Sequence, residues 1–70
     1  MTDVTLVEML AEARRELAMR QRLYPRWVEE GRMKPHQAER QIAVMQAIAE
    51  ELQEREMAAA MSRRRCYERA

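Results

Sequence analysis

The stretch YPRWVEEGRMKP, residues 24–35, holds both prolines, the one glycine and the one tryptophan of a 70-residue chain. Its reading decides the fold. Proline lacks a backbone donor and clashes with the carbonyl four residues back, so Pro25 either ends a helix or kinks it. An apolar seam of Leu6, Leu10, Ala13, Leu17, Tyr24 and Trp27, with Arg20 as its one polar member, passes through Pro25 in phase. This favours a helix that kinks and resumes over one that stops and restarts. Gly31 supplies the left-handed residue that closes a helix C-terminus, and Pro35 suits the first turn of the next helix. The stretch therefore predicts a bend, with the turn at 31–34.

Outward from that bend, helix 1 is expected over about 4–30. Thr5 followed three residues later by Glu8 has the form of a capping box, with Asp3 as a competing cap. Met9, Leu23 and Val28 widen the seam. Helix 2 is expected over about 35–63, its seam formed by Ala38, Ile42, Met45, Ile48 with Ala49, and Leu52, fading through Glu56 to Ala59. A short basic tail, 64–70, follows. Nowhere does strict alternation of apolar and polar residues run for a strand's length, so the class is all-α.

Two seams of matched length around a short connection predict an antiparallel two-helix hairpin. With the turn centred near Arg32, Trp27 would face Ala38, Tyr24 would face Ile42, Leu17 would face Ile48 and Ala13 would face Leu52. In the same register Arg14 and Arg15 fall opposite Glu51 and Glu50.

A single hairpin of this size has little interior, and chains this short generally need a disulfide, a metal or a partner. Cys66 is the one cysteine and His36 the one histidine, so neither an intrachain disulfide nor a zinc-type Cys/His cluster is available, and no cofactor is expected. Ala43, Val44, Ala47, Met57, Ala58 and Met61 lie off the main seam of helix 2. These residues predict a homodimer forming a four-helix bundle, whose core is Leu6, Leu10, Ala13, Leu17, Tyr24, Trp27, Ala38, Ile42, Met45, Ile48 and Leu52.

Net charge is +1, which gives no global attraction to nucleic acid or anionic lipid. No apolar run approaches a membrane span of about 20 residues, and MTDVTLVEML lacks the form of a signal peptide, so the expectation is a cytoplasmic protein with no membrane partner. Glu50, Glu51, Glu54 and Glu56 read as a solvated acidic face, because no Glu-x-x-His pattern accompanies them. His36 has no serine or cysteine near it in sequence, and no glycine-rich phosphate loop is present, so no enzymatic activity is expected.

Two groups remain as binding candidates. At the bend, Tyr24, Arg26, Trp27, Arg32, Met33 and Lys34 combine residue types enriched at binding hot spots. Tyr24 and Trp27 also fall on the inner seam, where they would plug the end of a bundle. At the C-terminus, RRRCYERA offers Arg63, Arg64, Arg65, Tyr67 and Arg69 as an alternative nucleic-acid contact, although Glu68 dilutes it. Met19 and Met57 stand off the seams as adaptable contact residues.

The run YPRWVEEGRM, followed by AERQIAVMQAIAEEL, resembles a group of small, mostly uncharacterised helical proteins carried by bacteriophages and prophages of Gram-negative bacteria. The resemblance covers roughly residues 14 to 53. It rests on the Tyr-Pro-x-x-Val, Gly-Arg and Ile-x-x-Met-x-Ala-Ile elements, and Lys34-Pro35 departs from the Ser or Thr cap of that group. It implies a phage or prophage context, in which small accessory proteins often bind and inhibit a host protein such as a defence or regulatory factor. The expected function is accordingly a non-enzymatic, homodimeric helical module acting on a host protein inside an infected or lysogenic bacterium. A small nucleic-acid-binding regulator is the alternative.

Overall fold

The computed structural model describes the backbone of residues 3–69 and the side chains of residues 3–65. Two helices, α1 (Leu6–Glu29) and α2 (Pro35–Arg69), pack against each other as a hairpin. Every boundary between them has a local chemical cause.

Helix α1 begins on the capping box. The Thr5 hydroxyl accepts from the Glu8 amide at 3.1 Å, and the Glu8 carboxylate accepts from the Thr5 amide at 3.2 Å. Two otherwise unpaired donors are thereby satisfied. The helix then continues through Pro25 to Glu29, so the restart does not occur. Pro25 leaves the Gln21 carbonyl without its helical donor. Both residues are exposed, so water can fill that role.

The end of α1 is a Schellman motif. The Gly31 amide donates to the Val28 carbonyl at 3.1 Å and the Arg32 amide to the Trp27 carbonyl at 2.8 Å. This geometry needs a left-handed residue. Gly31 has φ +74°, the one positive value among the described residues. The next helix opens less fully: Lys34 has no side-chain acceptor to offer, and its carbonyl receives the Ala38 amide at 3.0 Å. Pro35 in first position removes one of the donors a cap would have served.

The helices are unequal, contrary to the matched lengths read from the seams. With 24 and 35 residues, and a rise of about 1.5 Å per residue, α2 is roughly 16 Å longer than α1. It runs on to Arg69 instead of ending near Arg63, so the expected tail at 64–70 is helical throughout its described part. No glycine or proline interrupts this segment, and its Ala, Met, Arg and Glu residues propagate a helix well. Ala59 is the last described side chain with partial burial. Beyond it α2 projects past the start of α1, and the molecule measures 59 × 25 × 16 Å.

The core is thin. Leu10, Ala13, Tyr24, Ala38, Met45 and Ala49 are the buried hydrophobic residues, and half of them are alanine. Ala13, Met45 and Ala49 form a cluster on which Leu17 and Leu52 pack. Leu6, Trp27 and Ile42 are half-buried. Ile48 departs from its expected place: it is 44% exposed, and its neighbour Ala49 takes the buried position. Both lie next to the seam, and the small side chain is the one that fits between two closely packed helices.

The charge pairing also differs from the expected register. Arg14 donates to the Gln53 side chain at 3.0 Å. Arg15 pairs with Glu12 at 2.8 Å, Glu51 pairs with Arg55 at 3.1 Å, and Glu50 accepts from Gln46 at 3.2 Å. Pairs within one helix win because partners three or four positions apart are already in reach.

Candidate protein-interaction surface

The hairpin tip is built around a ladder of two rings with a guanidinium at each end. The Arg20 guanidinium lies 5.9 Å from the Tyr24 ring centre, the Tyr24 and Trp27 rings are 5.4 Å apart with a 30° tilt, and Arg32 lies 5.3 Å from the Trp27 ring. Each rung follows from helical spacing. Arg20, Tyr24 and Trp27 are four and three positions apart, so their side chains follow one another along one face. Arg32 joins because the Schellman motif folds the chain back over the last turn. The residue after the left-handed glycine usually makes an apolar contact with the third residue from the helix end. Here that contact is a guanidinium stacked on an indole.

Arg20 also explains its own place on an apolar seam. Its Nε donates to Glu16 at 3.0 Å, and one terminal nitrogen donates across the hairpin to the Gln41 carbonyl at 2.8 Å. A helical carbonyl has a second lone pair free for such a bond. The Tyr24 hydroxyl hydrogen-bonds the Gln41 side-chain oxygen at 3.2 Å, so a single residue of α2 receives two bonds from α1. No buried side-chain polar atom among the described residues lacks a partner.

This arrangement divides the six tip residues named from the sequence. Tyr24 is only 7% exposed and cannot present its ring to a partner. Trp27 and Met33 are half-buried, while Arg26, Arg32 and Lys34 are exposed. Arg32 is additionally paired with Glu30 at 3.4 Å. The available surface is therefore a cationic rim around one partly covered indole.

The arginines of the projecting end are brought to no common site with this tip. Arg63, Arg64 and Arg65 are exposed on α2, and Arg63 reaches back two turns to Glu56 at 3.2 Å. The Tyr67 and Arg69 side chains lie outside the described residues. Of the acidic residues on α2, Glu50, Glu51 and Glu56 are each engaged by a neighbouring side chain. No group of three or more metal-ligating side chains occurs among the described residues. Among the described residues no helix is long and apolar enough to cross a membrane.

A second surface takes in Val44 and Ala47, two of the off-seam residues of α2, together with residues of α1 that the sequence does not join to them. Between α1 and α2 on one side lies a groove of about 770 Å³, lined chiefly by Met9, Ala13, Met19, Met45, Ile48 and Leu52. Ile48 and Leu52 also border a shallower depression with Val44 and Ala47, so the two are one continuous apolar face. The sequence signal was available in Met9, Met19 and Val44, which flank their seams on one side. What it lacked was the rotation of each helix, which decides whether such flanks meet.

The chain matches no protein-family model, no curated protein and no solved structure.

Proposed function

We propose that this protein is a non-enzymatic helical module that acts by binding: it pairs with a second copy as a four-helix bundle, and the pair docks on and inhibits a host protein. The observation that carries this reading is the presence of apolar side chains on two opposite sides of α2. Val44 and Ile48 are 42% and 44% exposed, and Met57 and Met61 are 56% and 58% exposed. Met57 stands nine positions beyond Ile48, two and a half turns of helix, and so points the other way. One apolar side serves the second copy. The other, with the cationic rim of the tip, is left for a different protein.

The chemistry of the remaining surface suits that task. Exposed methionines adapt to irregular apolar partners, and Arg26, Arg32 and Lys34 select an acidic one. The phage or prophage setting, and hence the bacterial host as the source of that partner, rests on the resemblance of residues 14 to 53.

The test is capture from a lysate of the bacterial host, with mass spectrometry of what is retained. Wild type should retain one host protein. Arg32→Glu and the Met57→Glu, Met61→Glu double variant should lose it while keeping their helicity. If nothing is retained, and DNA or RNA binds at low salt and is lost on replacing Arg63, Arg64 and Arg65, a nucleic-acid regulator takes the place of this reading.

A further inference from the structure

The groove beside the thin core is apolar along its middle, and most of the charge on its rim is neutralised within the chain. Glu12 pairs with Arg15 at 2.8 Å, Glu16 with Arg20 at 3.0 Å and Glu51 with Arg55 at 3.1 Å. The Glu8 carboxylate is engaged at the start of α1, where it accepts from the Thr5 amide. The acidic rim therefore has little left to offer an incoming chain.

Towards the turn, charge is left over, and it is positive. On α2 the apolar residues Val44 and Ile48 give way to a depression lined by Lys34, His36, Gln37, Arg40 and Gln41. Arg40 precedes Val44 by four positions, so the two follow one another on one side of the helix. On α1, Arg26 follows Met19 by seven positions, two turns along the same wall of the groove. Arg26, Lys34 and Arg40 are exposed, and none is ion-paired among the described residues. Of the acids near the turn, Glu30 is held by Arg32. Glu29 and Glu39 are turned about 80° and 140° round their helices from Met19 and Val44, away from the groove.

We infer that this groove takes an amphipathic helix of another protein, apolar along one face and acidic at the end that lies over the turn. Two antiparallel helices with small residues between them leave a trough along one side, and a third helix fills such a trough with side chains three and four positions apart. Met9 and Arg26 are seventeen positions apart, about 26 Å along α1, which a partner helix of about 18 residues spans. The inference rests on the docking reading above and adds the chemistry of the partner. A second copy would bring this side no free acidic end, because its Glu12, Glu16 and Glu51 are paired as well.

Two peptides of about 18 residues test it by fluorescence anisotropy against the full chain. Both carry leucine and alanine on one face, and they differ in having three glutamates or three lysines at the N-terminal end. At low salt the glutamate peptide should bind about 10-fold tighter or more, with the gap narrowing as salt screens it. Arg26→Glu with Arg40→Glu should reverse the preference at unchanged helicity, since both side chains are exposed and outside any ion pair. Ile48→Glu should weaken both peptides about 10-fold or more, as a charge placed in an apolar contact does.

Equal binding of the two peptides, or a preference that survives the double charge reversal, would overturn the inference. So would binding of neither; if Ile48→Glu then dissociates a dimer in sedimentation, a second copy covers the groove instead. A host protein retained from lysate that the glutamate peptide fails to displace would overturn this inference and leave the docking reading standing.

Discussion

The two ends of this hairpin are held together by different physics. At the turn, Arg20, Tyr24, Trp27 and Arg32 stack in succession, and Gln41 receives bonds from both Arg20 and Tyr24. These contacts are directional, so they set which residue of α2 faces which residue of α1. In the open half one exposed bond, from Arg14 to Gln53, crosses the hairpin, and the buried contacts are small and non-directional: Ala13, Met45 and Ala49, with Leu17 and Leu52 packed around them. Alanines allow close approach but bury little area each, and a wide apolar groove remains beside them. The tip specifies the hairpin, while the open half leaves an apolar groove beside a thin core.

The contrast can be broken most directly at Tyr24. Tyr24→Ala removes a buried ring, two stacking contacts and the bond to Gln41, and should cost about 3 kcal/mol or more. Urea unfolding at fixed protein concentration reads this, and concentration must be fixed because association adds to apparent stability. A loss below about 1 kcal/mol would show that the open half, not the tip, anchors the fold.

Arg20→Met keeps the length of the side chain but removes the bond to the Gln41 carbonyl and the partner of Glu16. The expected cost is about 1–2 kcal/mol. Part of that energy is screened, because the paired carboxylate of Glu16 is 41% exposed, so the loss should shrink in high salt. A variant as stable as wild type would make Arg20 a passive filler of the seam.

Gly31→Ala tests the turn itself. The site is open, with nothing within 4 Å of the added methyl group, so any loss reports backbone conformation alone. At φ +74° it should be about 1 kcal/mol, and Gly31→Asn should lose less, because Asn tolerates that region. Thermal melts of the two variants side by side give the comparison.

The smallest effect is expected at Arg32. Arg32→Ala should cost about 0.5 kcal/mol, the worth of an exposed cation over a ring. Its clearer sign is optical. Trp27 is the one tryptophan, and uncovering its ring should shift its emission to the red with no loss of helicity. An unshifted spectrum would mean that Arg32 does not cover the indole in solution.

Much of this was legible in the residues themselves because it is local. The capping box at Thr5 and Glu8, passage through Pro25, closure at Gly31 and the start at Pro35 each depend on neighbours within about one turn, and each stands in the fold as read. The far end of α2 lies six residues beyond the expected end near Arg63, although the apolar seam fades from Glu56 onward. Fading burial ends packing; only a breaker ends a helix that propensity still favours.

The sequence by itself determined that this chain is two helices joined at one bend, since backbone chemistry at five or so positions suffices for that. Tertiary structure alone decided the rest: that Ala49 and not Ile48 lies inside, that Arg14 reaches Gln53, and that Arg20 crosses to Gln41. All of these depend on the rotation of one helix against the other. A turn of a few tens of degrees exchanges adjacent positions between core and surface without changing any local preference, so no pattern along the chain encodes it.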